Sequence, residues 1–424
     1  MSANLFEEFD AISTEAWREK ITADLKGKPF EKLIWSPEEG IELNPYYRKE
    51  DLSYSQYGID SLPGEFPFRR GNLINASGDG WQIVQSIQLD DEESALARLE
   101  ESELGEIHAF YLTQWERGSE VPNLGTLLSA FDLSQQALHI DVPVEPAFLS
   151  LDIYSQMGSK GMDRKALTGT LINDPISKAA AKGKRAELHT FARIEAGIQN
   201  FNPSPWFRGV GLDLSYVHEQ GGSMTQQIAF ALGTLVDYID WLEVSESKVT
   251  LEDLLRRISV TFSLGTNFIM EIAKLRAFRL LYAKVVQAYG IEDASLQSPF
   301  ILVKTDKLNQ TQYDYYNNLL RTTTEAISGV IGGANAVIVQ GFDGLRQAED
   351  AQSSRLARNI QHLLKHESYL DKVIDPAGGS YYIEQATDAL GQAAWKMFQD
   401  IEKEGGFLEW VEVGKVGSHN CTSA

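Results

Sequence analysis

Cysteine is almost absent from this chain of 424 residues, and the only one, Cys421, stands close to the last residue. A single thiol excludes an intrachain disulfide framework and a metal cluster held by thiolates. Long apolar runs are missing too, and the first ten residues lack the basic start of an export signal. We therefore expect a folded protein of the reducing cytoplasm that does not enter a membrane.

The chain has few basic residues. It contains 38 Lys and Arg against 60 Asp and Glu, which gives a formal net charge of −22. This charge repels nucleic-acid backbones and anionic lipid headgroups, so neither partner is expected. A polyanionic small ligand would need a local cluster of arginines and lysines. The 43% hydrophobic content is enough for an extensive core.

The first 60 residues differ from the rest of the chain. They contain a predicted helix from Ile12 to Leu25, after which Pro and Gly interrupt every periodic run. Such a segment builds no core of its own, yet it carries several large apolar residues, namely Leu5, Phe6, Phe9, Trp17, Ile21 and Trp35. We predict an interface arm at residues 1–60, one barrel domain at 61–415 and a tail at 416–424.

Eight segments after residue 80 have the length and the β-branched or aromatic content of strands. They are 81–88, 107–111, 148–154, 167–172, 207–214, 257–263, 299–304 and 336–340. Apolar residues between them recur at helical spacing, for example over 224–242 and 268–285. The alternation favours a closed (β/α)8 TIM barrel, and the alternative is an open doubly wound sheet.

Several motifs recur in order over most of the chain. They include Phe66-Pro-Phe-Arg-Arg-Gly71, Met270-Glu-Ile-Ala-Lys-Leu-Arg-Ala277, Tyr316-Asn-Asn318 with Arg321-Thr-Thr323, and Asp375-Pro-Ala-Gly-Gly-Ser-Tyr-Tyr-Ile-Glu384. Together they resemble the adenosylcobalamin-dependent acyl-CoA mutases, and methylmalonyl-CoA mutase in particular. The resemblance implies a substrate-binding barrel, in agreement with the strands and helices predicted above.

In that family a flavodoxin-like domain follows the barrel and binds cobalamin through a histidine in an Asp-x-His-x-x-Gly loop. The chain has one His-x-x-Gly, His218-Glu-Gln-Gly221, and Tyr216 stands where the motif has Asp. We therefore expect no cobalamin-binding flavodoxin-like domain here and no cofactor bound by this chain alone.

The resemblance also locates the catalytic positions of active mutases, and most of them are altered. Active members place tyrosines and an arginine before a Trp-Thr-Ile-Arg-Gln strand, whereas here Asn72 to Gly80 contain neither and the strand reads Trp81-Gln-Ile-Val-Gln85. We expect a Gly78-Asp-Gly80 turn to close this pocket mouth. On three further strands Ile172 replaces a glutamine, and Leu302 and Ile338 replace histidines.

The acid of active mutases is a histidine in Ser-Gly-Tyr-His-Ile-Arg-Glu-Ala-Gly-Ala. Ungapped alignment on Glu219-Gln-Gly-Gly222 places Tyr216 at that position and His218 two residues later, which resembles the noncatalytic small subunit of heterodimeric mutases. A shift by two residues would give His218 the acid role. The resemblance thus implies no catalytic residue, with Tyr216 and His218 as candidates if the chain is active.

Candidate ligands for an acyl-CoA are Arg69, Arg70 and Lys304, and ordinary structural or solvated roles are the alternative reading of each. Asp152, Asp213 and Asp343 follow or end predicted strands and could converge on a metal ion only if the fold brought them together. We predict no metal site.

The resemblance implies a noncatalytic small (β) subunit that pairs with a catalytic large subunit carrying adenosylcobalamin. That pair would isomerise methylmalonyl-CoA and succinyl-CoA, the arm would contribute to the interface, and a homodimer could form without the partner. The alternative is an active chain, the substrate-binding half of a split adenosylcobalamin-dependent acyl-CoA mutase. A barrel that binds some other small molecule is a third hypothesis.

Overall fold

The structure, a computed structural model, describes residues 12–54, 60–72, 80–89, 92–102, 107–114, 124–346 and 350–413. Within these ranges nine strands form one parallel sheet in the order β5-β4-β3-β2-β1-β9-β8-β7-β6. In chain order they are β1 Gln82–Gln88, β2 Ala109–Thr113, β3 Ala137–Ile140, β4 Thr168–Leu171, β5 Trp206–Arg208, β6 Val210–Asp213, β7 Ile258–Leu264, β8 Phe300–Thr305 and β9 Ala336–Ile338.

Gly209 joins the two ends of this sheet. It separates β5, which pairs with β4, from β6, which pairs with β7, so 206–213 is one strand that changes partner in its middle. A Cβ atom at Gly209 would lie 1.9 Å from the carbonyl oxygen of Gly197, so only glycine fits this contact. The sheet is therefore a barrel with eight strand positions, which confirms the predicted (β/α)8 fold.

One predicted strand is wrong and one observed strand was not predicted. Residues 148–154 lie in a helix, Pro146–Ser159, whose buried residues Leu149, Ile153 and Met157 follow helical spacing. Pro146 starts this helix, at a position where the missing N–H of proline costs nothing. The unpredicted strand is β3, which has only four residues and a histidine among them. The other seven predicted strands overlap observed ones.

Fourteen α-helices lie in the described part of the chain, and most of them surround the barrel. They are α1 Thr14–Asp24, α2 Glu92–Ser102, α3 Leu124–Leu128, α4 Pro146–Ser159, α5 Pro175–Ala180, α6 Ala192–Asn200, α7 Ser215–Glu219, α8 Met224–Val244, α9 Leu251–Arg257, α10 Phe268–Ala288, α11 Asn318–Ile331, α12 Ala351–His362, α13 Tyr381–Lys403 and α14 Phe407–Glu412. No helix among the described residues combines the length and apolarity needed to cross a membrane.

Two large clusters of buried apolar residues fill the space between strands and helices. Residues that alternate along each strand point to opposite faces, so one set packs on the helices. Phe262 of β7, for example, meets the edge of Phe278 of α10, with ring centroids 4.9 Å apart. A third, smaller cluster contains the residues on the other face of the strands. The helix-facing core holds the barrel in shape, and the inner face is left for the site.

The arm is anchored on the chain's own barrel from Glu39 onward. The Glu39 carboxylate accepts the backbone N–H groups of Met224 at 3.0 Å and Thr225 at 2.8 Å, where α8 begins. Leu43 is fully buried in the outer core. The helix α1, in contrast, has no buried residue.

Three of the motifs that carry the family resemblance meet in one buried ion network. Glu384 contacts Arg69 at 2.6 Å and Arg276 at 2.6 Å, and Arg276 also pairs with Asp375. Both arginines are fully buried. Burial alone would raise the pKa of Glu384, but the charges of Arg276 and Arg69 outweigh it, and the pKa lies below its ordinary value. The network ties residues 60–72 to α10 and α13.

Replacing the carboxylate in Glu384→Gln should destabilise the protein strongly, because two buried guanidinium groups lose their shared counter-charge. We expect a loss of about 3–5 kcal/mol in the free energy of unfolding, measured by urea denaturation at neutral pH. Since the folded pKa of Glu384 is depressed, its contribution is present above the unfolded value near 4.5 and is lost as pH falls through the lower folded pKa. The difference between wild type and variant should shrink in acid.

The control is Asp400→Asn on the same helix, which removes an exposed ion pair with Lys403 at 3.1 Å. Such a surface pair contributes under about 1 kcal/mol. Equal losses in the free energy of unfolding for the two variants would contradict a special role for the buried network.

Candidate functional site

Some side chains contact each other although their strands are not neighbours in the sheet. Such side chains must lie inside the barrel. The Nε2 atom of His139 on β3 lies 3.1 Å from Oε1 of Gln82 on β1. The guanidinium carbon of Arg208 on β5 lies 4.3 Å from the ring centroid of Phe300 on β8, and the His139 ring centroid is 6.1 Å from that same ring. These four side chains form a layer across the lumen near the amino ends of the strands.

An apolar cluster also crosses the lumen. Its members are nearly or fully buried and come from β1, β2, β3, β8 and β9 and the residue after β4: Val84, Ala109, Tyr111, Ala137, Ile172, Phe300, Leu302, Ala336 and Ile338. Side chains of opposite strands pack against one another there, so the middle of the lumen is filled by protein atoms.

Four members of this cluster stand where the resemblance expects polar side chains. In the family pattern the position of Ile172 is a glutamine, and those of Leu302 and Ile338 are histidines. The position of Val84 is the arginine of Trp-Thr-Ile-Arg-Gln. Val84 and Ile338 are direct partners in the β1–β9 pairing. The sequence shows four separate replacements on four segments, and the fold brings them into one contact cluster. Apolar packing therefore stands where the resemblance implies polar side chains.

Strand β7 adds three hydroxyl groups without hydrogen-bond partners. Ser259, Thr261 and Ser263 alternate along β7, and each is at most 1% exposed. Ser259 pairs in register with Phe300 and Thr261 with Leu302, so the three share the lumen face. An unsatisfied buried polar group costs about 1–3 kcal/mol. Sequence reasoning did not single out these residues, because serine and threonine are ordinary strand residues.

His218 lies at the carboxyl end of the barrel, where barrel enzymes place catalytic groups. It belongs to α7, and its Nε2 atom lies 2.9 Å from Oδ2 of Asp306, which directly follows β8. Burial raises the pKa of Asp306, but the hydrogen bond and charge of His218 bring it below its ordinary value. Burial raises the pKa of the neighbouring Glu325 to about 8. No sequence pattern indicated that Asp306 would lie beside His218.

Tyr216, two residues earlier, is only 3% exposed and belongs to the core between strands and helices. Burial raises its pKa well above the ordinary value, and the negative charges of Asp174 and Asp213 act in the same direction. Its hydroxyl is buried without a partner. Tyr216 is thus a neutral phenol in the outer core.

The histidine does not fit a cobalamin ligand. His218 is within a helix, contacts Asp306 and has a side chain only 16% exposed. Gly265 also lies against the ring, since a Cβ atom there would be 3.1 Å from Cε1 and 3.4 Å from Nε2. A histidine held between these groups is not presented on a loop that could reach a corrin.

The three candidate acyl-CoA ligands lie at opposite ends of the barrel. Arg69 is bound in the buried network, and Arg70 pairs with Asp375 at 3.1 Å near the amino end of β1. Lys304 is near the carboxyl end of β8, with Nζ 3.3 Å from Glu219. The predicted turn at Gly78–Gly80 belongs largely to residues 73–79, which lie outside the described residues.

The aspartates named from the sequence do not form a metal site. Asp152 is exposed on α4, far in sequence from any strand end, because the strand predicted there is a helix. Asp213 accepts the hydroxyl of Ser215 at 2.6 Å, and Asp343 pairs with Ser353. Over the described ranges, no group of three or more His, Cys, Asp or Glu could hold a metal ion.

Because the lumen is packed with apolar side chains, we expect a polar residue placed there to destabilise the protein. Ile338→His should lower the free energy of unfolding by about 1–3 kcal/mol, since it places a polar ring against apolar side chains such as Val84 and Leu302. Leu320→His, at a position 69% exposed on α11, is the control and should change stability by under about 0.5 kcal/mol. Denaturant titration of both variants is the measurement. An Ile338→His protein as stable as the control variant would show that the lumen is wet and open.

Comparison with known proteins agrees with this architecture. The family model for methylmalonyl-CoA mutase matches residues 119–422. The methylmalonyl-CoA mutase small subunit of Porphyromonas gingivalis is 34% identical over 97% of this chain and 66% of its own length. The small subunit of Streptomyces virginiae is 29% identical over 98% of this chain and 67% of its own length, and the methylmalonyl-CoA mutase of Rhizobium meliloti is 29% identical over 94% and 59%.

This chain therefore spans between about three fifths and two thirds of the length of these relatives. The matched region nevertheless includes most of the strands and helices of the barrel described above. The chain belongs to the methylmalonyl-CoA mutase family.

Proposed function

We propose that this chain is a noncatalytic small subunit of a methylmalonyl-CoA mutase, located in the cytoplasm. It pairs with a catalytic large subunit that binds adenosylcobalamin and interconverts methylmalonyl-CoA and succinyl-CoA. The observation that carries the proposal is the lumen, where Val84, Ile172, Leu302 and Ile338 pack together at positions that the resemblance reserves for polar groups. The small-subunit names of two relatives support the same reading.

The charged candidates support the proposal because the fold already uses them. Arg69 is fully buried against Glu384, and Arg70 is held by Asp375. An acyl-CoA phosphate could recruit Arg69 only by breaking a fully buried ion pair, which is costly, so Arg69 acts as scaffold. Arg70 is partly exposed and is held on one side by Asp375.

The arm offers a surface for the large subunit. Its described part exposes Ile12 by 65%, Trp17 by 38%, Leu33 by 37% and Trp35 by 41%. Tryptophans with partly exposed faces are typical anchors of protein interfaces. Glu39 fixes the arm to α8, so these side chains project from a defined base. We propose that residues 1–60 form the interface arm of a barrel at 61–415.

Mixing this chain with its large subunit tests the proposal by analytical ultracentrifugation and mutase assay. We expect a heterodimer, and we expect Trp17→Ser with Trp35→Ser to weaken it by at least about tenfold through loss of two aromatic anchors. Leu151→Ser on α4, which removes an apolar side chain 66% exposed outside the arm, is the matched control. Sedimentation of the chain alone would reveal a homodimer.

Two results together would refute the pairing. They are the absence of a complex with the wild-type chain and full activity of the large subunit by itself.

A second candidate function is favoured by the three unpartnered hydroxyls of β7. Ser259, Thr261 and Ser263 could hydrogen-bond a substrate of a split adenosylcobalamin-dependent acyl-CoA mutase if the apolar packing of the lumen opened to admit it. His218, oriented by Asp306, would then be placed to act as the acid near a thioester carbonyl. Such a chain would bind an acyl-CoA without its partner.

Calorimetric titration with an acyl-CoA separates the two candidates. Micromolar affinity that is lost in Thr261→Val would establish the split-mutase role, since the variant removes one lumen hydroxyl at nearly constant volume. Thr234→Val on α8 is the control, because its buried hydroxyl also lacks a partner but lies outside the barrel. Absence of heat at millimolar acyl-CoA would eliminate this role and leave the noncatalytic one.

A further inference from the structure

Helix α1 is weakly attached to the rest of the chain. It has 11 residues, none of them buried, and an isolated helix shorter than about 12–15 residues is only marginally stable in water. Trp17 and Ile21 of this helix and Leu25, directly after it, recur at helical spacing and share one face. Trp17 is 38% exposed, and Ile21 and Leu25 are half-buried. The chain therefore covers the apolar face of α1 only in part.

Tyr46 is the aromatic residue against which α1 packs. The rings of Trp17 and Tyr46 have centroids 3.7 Å apart and planes tilted by 40°. Phe30 meets the same tyrosine edge-on, at 6.4 Å. One side of the Trp17 ring is thus taken up by a residue of its own chain, and only the remainder is open to another protein.

Arg48 supplies polar contacts at the beginning of α1. Its guanidinium donates to the Oγ1 atom of Thr14 at 2.7 Å and to the carbonyl oxygen of Ile12 at 2.8 Å. The Thr14 hydroxyl in turn donates to the carboxylate of Glu50. A segment held by a few partly exposed contacts of this kind is typical of one that opens locally while the rest of the protein stays folded.

Residues 35–51, in contrast, form a fixed base for the arm. Trp35 and Leu43 pair as an antiparallel bridge with two backbone hydrogen bonds of 2.9 Å, and Leu43 is fully buried. Glu39 between them binds the beginning of α8, as described above. The carbonyl oxygen of Asp51 accepts the side-chain amide of Gln385 on α13 at 2.7 Å. The arm therefore consists of a base fastened to the barrel and a helix that can separate from it.

We propose that α1 is released from Tyr46 and Arg48 when the chain pairs with its large subunit, so that the closed position of α1 opposes pairing. The released helix presents the whole apolar face of Trp17, Ile21 and Leu25, which fits an apolar groove of the partner. Only open chains offer this face, so the apparent affinity falls with the fraction of chains that are open. This inference rests on the proposed pairing and adds a self-inhibiting contact to it.

Arg48→Gln tests the release, because it removes the contacts with Thr14 and Ile12 and leaves Tyr46 in place. In hydrogen–deuterium exchange of the full chain alone, we expect the amides of residues 16–24 to exchange at least about tenfold faster than in wild type. Those of residues 35–43 should not change. The variant should also bind the large subunit at least about twofold more tightly in analytical ultracentrifugation, because more chains are open.

Arg18→Gln is the matched control. Arg18 is exposed on α1 itself, so the variant removes the same charge from the arm without touching the Arg48 contacts. Neither measurement should change by more than about twofold, as expected for a surface substitution.

Two kinds of failure can be told apart. Unchanged exchange over α1 in Arg48→Gln, or weaker pairing of that variant, would overturn the inference and leave the pairing itself intact. Absence of a complex with wild type and with both variants would refute the pairing and the inference together.

Discussion

Closure of the parallel sheet is the constraint on which the rest of this structure depends. A parallel sheet has no unpaired edge only if its first and last strands meet. Here they meet on residues 206–213, one strand that changes its pairing partner at Gly209. The backbone of Gly197 lies too close for any side chain at that point. Once the ring is closed, every second residue of each strand points inward, and a few side chains decide what the barrel can bind.

Those inward residues divide the lumen into zones of different chemistry. Near the amino end, polar groups cross the lumen: His139 contacts Gln82, and the guanidinium of Arg208 lies over the Phe300 ring. The middle is apolar, with Leu302 and Ile338 among its members. At the carboxyl end, charged and titratable groups such as His218 gather in pairs. Filling of the middle separates the two ends, so a ligand at one end has no continuous path to the other.

The resemblance to acyl-CoA mutases rests on residues that hold the barrel together. Arg69, Arg276, Asp375 and Glu384 come from three of the recognisable motifs and form one buried network between the segment before β1 and helices α10 and α13. The positions that the resemblance assigns to polar side chains carry apolar ones, such as Leu302 and Ile338. A framework kept by ion pairs, around a lumen packed with apolar side chains, is the basis of the noncatalytic role proposed above.

The sequence by itself determined the family, the alternation of strands and helices, and seven of the eight strand segments, because these depend on local spacing. It failed at 148–154, where apolar residues occur at both helical and strand positions and Pro146 starts a helix. It also missed the four-residue β3. Only the tertiary structure decided that Arg69 is buried against Glu384, that Asp306 pairs with His218 and that Arg208 lies over the Phe300 ring. Each of these depends on residues far apart in sequence, whose distances are set when the barrel closes.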